Sequence, residues 1–426
     1  KCISPKICFK KTKPLKTCSI DDGTVNNAGK EPLTAAMDRI GALPDEVLTH
    51  ILSFVPTTQA IVTSILSKRW IHLWRHVPLL HFSDTSLKNL ADNYRFNEFV
   101  YNILLSREAA GNHSINTFFL DIEYFYAKLA FRPSNPNIKN WVDYAVERKV
   151  QHLDLYLDVL RHVDKHRNFP RLPVSVFNCR TLVSLKLHWF HVEEYFSLDF
   201  VGFPSLKVLH LKEIYFHEYE EFILLLAGCP VLEDLHVSDV NFGCLKILLE
   251  FDNVFKSSSL SNLTSVYIRG CCFDFWLKAL SNLKFLSINF LKGDQHDIFP
   301  VFHNLTHLEL TYDWYRVVQV LQHCPKLQKL DFHQKLPSSS DEYFIENWAD
   351  LEFVPKCLSL NLTTCTLWGF LLTTLQGELM VARYILKNAS VLQTMIIWCI
   401  GERSPELERN LFSCPRASAT CQLSFN

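Results

Sequence analysis

The chain has 426 residues, 48% of them hydrophobic and 20% charged, with a formal net charge of −1. Such a composition describes a globular protein with ample core, longer than one typical domain. It excludes a global electrostatic pull towards nucleic acid or anionic membrane, and no apolar run is long enough for a transmembrane helix. Residues 1–37 are rich in lysine, lack the apolar stretch of a secretory signal, and read as a disordered basic tail. With no signal, the 14 scattered cysteines read as reduced thiols of a nuclear or cytoplasmic protein.

Catalytic motifs are missing. The glycines are too scattered for a G-x-G-x-x-G, a P-loop or a G-x-S-x-G elbow, and no C-x-x-C occurs. His217 and the pair His188/His191 lack further ligands at metal-binding spacing, so neither metal nor cofactor is expected.

From Leu43 the chain reads as three short helices. "LPDE" suits a first turn, with proline early and acids at the positive end of the dipole. Val47, Leu48, Ile51, Leu52 and Val55 then recur at helical spacing, and Pro56 ends the run. Thr57 or Thr58 can cap a second helix bearing Ala60, Ile61, Val62, Ile65 and Leu66. Ser67 can cap a third with Trp70, Leu73, Trp74 and Val77. Three short helices cannot bury all of this surface among themselves. The surplus packs either on the rest of the chain or on a partner, with Arg69 or Lys68 at the rim.

Residues 38–82, "DRIGALPDEVLTHILSFVPTTQAIVTSILSKRWIHLWRHVPLLHF", resemble the F-box of plant F-box proteins. The Leu-Pro opening, the "ILSF-P" helix end and the "LSKRW--LW" run all fall in register. The resemblance implies docking on a Skp-type adaptor, and through it on a cullin–RING (SCF) ubiquitin ligase. Leu43, Pro44, Ile51, Leu52, Val55, Leu66, Arg69, Trp70, Leu73 and Trp74 would be the adaptor-facing or directly supporting set.

Residues 83–149 read as a connecting helical and strand region that begins a solenoid. From 150 to 335 a unit L-x-x-L-x-L recurs, as in "PSLKVLHLKEI" from Pro204 and "HNLTHLELTYD" from His303. Its leading leucines, Leu182, Leu206, Leu232, Leu263, Leu283, Leu305 and Leu327, are spaced by 24, 26, 31, 20, 22 and 22 residues. That is the leucine-rich-repeat signature, with a parallel sheet lining a concave face. The repeats lack the usual asparagine, and several contain "NLT".

Alternation places two columns outward. The first runs Lys186, His210, His236, Tyr267, Ser287, Glu309 and Asp331; the second runs His188, Lys212, Ser238, Arg269, Asn289, Thr311 and His333. Early positions read as basic and histidine-rich, late ones of the first column as acidic. The face suits a target protein, with Lys186, His188, His210, Lys212, His236, Tyr267, Arg269, Glu309 and Asp331 as candidate contacts, or is a plain solvated sheet. Cys229-Pro230 and Cys324-Pro325 read as buried turns.

A Ser-rich break at 335–344 opens a C-terminal unit, residues 336–426. It reads as a strand-like "CLSLNLTTCTLWGF", a helix through Leu375 to Ala389, a strand "VLQTMIIWCI", a polar helix from about Ser404 and a final strand. This segment resembles the FBD domain that follows repeats in many plant F-box proteins. The expected fold is therefore α/β: a three-helix F-box, a leucine-rich-repeat solenoid and a small α/β FBD cap. The expected role is a non-catalytic substrate receptor of a ubiquitin ligase, bound to neither nucleic acid nor membrane. The competing readings are a repeat scaffold acting outside a ligase and an enzyme whose site has no motif.

Overall fold

A computed structural model describes residues 39–111, 114–126, 137–161, 170–192, 202–244, 260–270, 280, 282–289, 300–312, 317–334, 354–371, 375–400 and 405–426. The basic tail, the Ser-rich break and Cys271-Cys272 lie outside these residues. Residues 1–44 and 45–426 form separate compact units.

The second unit is organised by a 13-stranded sheet, parallel throughout. Its first strands are β1 (Leu79–Leu87), β2 (Thr117–Tyr126), β3 (His152–Arg161) and β4 (Ser184–His188). The leucines of L-x-L stack across strands, Leu185 beside Leu209, Leu209 beside Leu235 and Leu286 beside Leu308, all buried. Each strand thus buries one face only against its neighbours' equivalents, which is why a single repeat has no core of its own.

One backbone step repeats along the whole sheet. The carbonyl just before a strand accepts two N–H groups from the next repeat. Pro78 receives Asn116 and Thr117, Glu233 receives Thr264 and Ser265, and Gln328 receives Thr363 and Thr364. The recurring "NLT" fits this step. Its leucine points inward while the threonine hydroxyl adds a bond to the same carbonyl, Thr264 to Glu233 at 3.3 Å, Thr306 to Lys284 at 3.1 Å and Thr363 to Gln328 at 3.2 Å. The asparagine amide reaches further back, Asn262 to Pro230 at 3.3 Å and Asn361 to Pro325 at 2.9 Å. Asparagine therefore does tie neighbouring repeats together here, from a position just before the strand.

Several strands end on a left-handed corner. Trp189, Glu213, Asp239 and Gly270 follow successive strands of the sheet with φ of 68°, 51°, 54° and 67°. Their N–H groups bond forward, as Trp189 to Lys212 at 3.0 Å and Asp239 to Arg269 at 2.9 Å. The corner turns the chain off the main sheet; after the first three corners it enters a second, three-stranded sheet (His191–Val192, Tyr215–Glu218 and Asn241–Cys244). Only Gly270 satisfies the corner without a Cβ, and a Cβ there would lie 2.3 Å from Asp239 Oδ1.

The C-terminal unit continues the same sheet, with strands Thr364–Leu371, Thr394–Ile400 and Gln422–Phe425 added in parallel after Lys329–Gln334. The first part of the expected strand "CLSLNLTTCTLWGF" is instead a helix, Lys356–Leu360. Cys357 and Leu358 are buried side by side there, a packing that short apolar runs share with strands.

Candidate functional site

Two surfaces carry the sequence-derived candidates. The first is a helical head of α1 (Asp45–Leu52), α2 (Thr57–Val62) and α3 (Trp70–Leu73), with a 3₁₀ turn after each of the last two. The cap expectations change. Pro56 and Arg69 occupy the N-cap positions of α2 and α3, and neither makes a side-chain capping bond there. The Thr57 hydroxyl instead accepts the N–H of His81 at 2.7 Å, tying the head to β1.

Leu52, Trp70, Leu73 and Trp74 are buried within this chain alongside Leu48, Ala60 and Val77, so both tryptophans belong to its own core. Arg107, fully buried on α4 (Leu90–Ala109), donates to the Val77 carbonyl at 2.6 Å and seals this junction. Burial lowers its pKa to about 10, against help from Tyr144. Arg69 donates through Nε to Asp45 Oδ1 at 2.7 Å, an exposed ion pair of small energetic value.

Another set stays in solvent. Ile65 is 82%, Phe54 76% and Leu66 64% exposed, joined by Ile51, Val47, Val62 and Ile71. Pro44 is exposed, while Leu43 and Val55 are half-buried. Phe54 was missed by the helical stripe, although it stands three residues after Ile51. Phe54 lies in the turn after α1 with an edge contact to His50, ring centroids 5.0 Å apart, and Leu66 lies in the turn after Ile65. Large apolar side chains left in solvent around packed helices mark an interaction surface.

The second surface is the outward face of the sheet. Both columns hold in the strand register: Lys186, His210, His236 and Tyr267 stand in line, as do His188, Lys212, Ser238 and Arg269. Glu309 lies beside Asp331. His188 departs from expectation, being buried with an edge contact to Tyr156, ring centroids 6.2 Å apart.

The histidines are partnered by neighbouring acids. His210 Nε2 lies 3.1 Å from Asp234, and His307 Nε2 lies 2.8 Å from Asp331. Burial lowers His236 and His333 below the usual imidazole range, the latter against Glu309 and Asp331. Rings also stack along the columns, His236 on Tyr267 at 4.1 Å and His333 on Trp368 at 5.4 Å, then Trp368 on Trp398 at 4.8 Å.

The columns extend back through β3, β2 and β1 as Asp154, Phe119, His81 and as Tyr156, Asp121, Ser83. The early end is consequently acidic as well as histidine-bearing. The buried turn cysteines are inert: burial pushes Cys229 up to about 12 and moves Cys324 in the same direction, with Cys357 adding to it. Among the described residues no three His, Cys, Asp or Glu side chains are grouped to hold a metal ion.

A helical head with unburied apolar side chains, fused to a parallel repeat sheet, defines a leucine-rich-repeat protein led by an F-box. Family models agree: the F-box domain matches residues 40–82, the LRR repeats of an FBD-associated F-box protein match 138–266, and FBD matches 350–397. An FBD-associated F-box protein of Arabidopsis thaliana is 30% identical, over 91% of this chain and 100% of its own. An F-box/FBD/LRR-repeat protein of the same plant is also 30% identical, over 92% and 99%. Among solved structures, an internalin from Listeria monocytogenes is similar at a TM-score of 0.30 and 11% identity, over 83% of this chain and 69% of its own, too slight a likeness to add to the fold assignment.

The chain belongs to the F-box/FBD/LRR-repeat family. F-box domains generally bind Skp1-type adaptors, and F-box/LRR proteins are generally non-catalytic adaptors; the domain set supports a substrate-adaptor role in SCF complexes.

Proposed function

We propose that this chain is the substrate-recognition subunit of an SCF ubiquitin ligase. The head docks a Skp-type adaptor through its exposed apolar side chains, and the outward sheet face holds a target protein. Ubiquitin transfer then follows from proximity to a charged conjugating enzyme, so no side chain here performs covalent chemistry. Its partners are proteins rather than nucleic acid or membrane, and it works where that machinery works, in nucleus or cytoplasm.

The observation that carries this reading is the exposure of Ile65, Phe54 and Leu66 at the ends of helical segments whose inner faces are already filled by Leu48, Trp70 and Trp74. The core does not need these three side chains, and water disfavours them. Of the residues carried over from the family resemblance, Ile51 and Leu66 serve as direct contacts. Leu52, Trp70, Leu73 and Trp74 support the helices from beneath.

The test is co-elution with purified Skp-type adaptor on size exclusion. Wild-type chain should form a stoichiometric complex, and Ile65→Asp/Leu66→Asp should abolish it without loss of fold. A folded wild-type chain that ignores the adaptor would leave a repeat scaffold acting outside a ligase.

A further inference from the structure

At the head-proximal end of the sheet face lies a pocket of about 400 Å³, lined by Phe119, Asp121, Glu123, Asp154, Tyr156, Asp158, Lys186 and His188. It exists because the strands differ in length. β2 and β3 are 10 residues long and β4 only 5, so pairing of β3 with β4 stops at Tyr156–His188. Beyond that point β3 carries Asp158 past the end of β4, with Glu123 directly opposite it on β2.

Among the described residues, four carboxylates line the pocket with one ammonium, Lys186, whose Nζ is 3.5 Å from Asp154 Oδ2; Asp158 Oδ1 also accepts the Val159 N–H at 2.7 Å. Glu123 and Asp158 stand directly across a strand pair, a placement that concentrates negative charge at this end of the sheet. Burial pushes the Asp121 carboxyl upward, with Asp158 adding to it and His81 and His188 opposing.

Two buried polar atoms of the lining side chains have no hydrogen bond. His188 is more than nine-tenths buried, lines the pocket, and its Nε2 makes no hydrogen bond; the nearest acid, Glu213, is 3.7 Å away. Asp154 Oδ1 is likewise buried without a hydrogen-bond partner. Buried polar atoms left unmatched in this way are costly unless a bound group completes them.

We propose that this pocket seats the guanidinium of an arginine presented by the target protein. Asp121, Glu123, Asp154 and Asp158 supply the opposing charge, and Phe119 and Tyr156 supply the walls. The inference deepens the target-binding role of the sheet face and rests on it. A guanidinium fits better than a metal ion, because the acids are spread over two strands and not grouped for coordination. Its planar fork of five donors can engage several carboxylates together. Phe119 and Tyr156, with centroids 5.8 Å apart, present ring surface to the same cation.

The test uses the purified full chain with no adaptor present, so it can fail or succeed independently of docking by the head. Fluorescein-labelled Gly/Ser nonapeptides carrying two central arginines, or two citrullines of the same shape without charge, are titrated by anisotropy in low salt. The arginine peptide should bind at least tenfold more tightly. Asp158→Lys, at an exposed position, should erase that preference with a melting temperature no lower than wild type, since it removes the like-charge pair with Glu123, and Asp121→Asn should erase the preference as well. Equal binding of the two peptides, no binding of the arginine peptide, or a preference that survives Asp158→Lys would overturn the assignment.

Discussion

Replacing Phe54, Ile65 and Leu66 together by alanine should separate docking from folding. Burying a large apolar side chain in full contributes about 2 kcal/mol. Scaled by exposures of 76%, 82% and 64%, the three retain most of that value for a partner. Together they are worth about 4–5 kcal/mol, roughly a thousandfold in Kd. None of the three is buried in the chain's own core, so the urea midpoint should barely move. Trp74→Ala is the converse: only 8% exposed, that side chain leaves a cavity costing about 3–5 kcal/mol of stability. Calorimetric titration against purified Skp-type adaptor, paired with urea unfolding, reads both quantities. A triple variant that binds like wild type, or one that loses adaptor binding only in proportion to lost stability, would refute the assignment of this surface.

Other perturbations probe the sheet. Gly270→Ala forces a Cβ onto the left-handed corner and against Asp239, and should cost about 1–2 kcal/mol; Asp239→Gly, at a corner of the same hand, should be neutral or stabilising in the same melts. Burial pushes the Asp331 carboxyl up, but hydrogen bonds from His307, Lys329 and Thr366 outweigh it and hold the group well below the usual carboxylate range. Its folded pKa being depressed, this stabilisation is present above the unfolded pKa of about 4 and fades as pH falls through and below it. Asp331→Asn should therefore cost about 1–2 kcal/mol at neutral pH, with the gap to wild type closing in acid. Iodoacetamide at pH 8 should leave Cys229, Cys324 and Cys365 unmodified in the native chain, since burial raises all three thiols, while the half-buried Cys399 and Cys414 should be modified ahead of those three by mass spectrometry.

Much of the repeat sheet was legible because L-x-L alternation and inward burial are the same physical statement. The columns from Lys186 to Asp331 and from His188 to Arg269 followed from counting by twos. Their extension into β1–β3 was equally available: Phe118, Leu120, Ile122 and Tyr124 alternate in "TFFLDIEYFY" and are all buried. The columns were not carried back because β1 and β2 lack the L-x-x-L lead, and β3 keeps only a weaker copy of it in "VQHLDLYLDVL" from Val150. The left-handed corners at Trp189, Glu213 and Asp239 left no trace, since non-glycine residues there are held by cross-repeat bonds rather than by propensity. In the head, helical spacing identified the apolar positions but not their direction. Trp70 and Trp74 turned inward because Arg107 and β1 close over that side, a tertiary effect no local pattern encodes. The pocket between β2 and β4 depends on unequal strand lengths, which hydrophobic periodicity does not report.

The uniform backbone step from Pro78 to Gln422 makes the sheet a graduated scale. Neighbouring strands stand about 4.8 Å apart, so 13 of them span about 58 Å from the head's first strand to the last. Arg107 and Thr57 fix the zero of that scale to the head. A partner gripped at the acidic pocket would sit about 5–15 Å along it, and one laid on the Trp368–Trp398 stack about 50 Å along. On the proposed role in a ligase, these positions would offer different lysines of a target to the same conjugating enzyme. Choice of modification site would then be a matter of arithmetic along the strands, and adding or deleting one repeat would move it by a fixed increment.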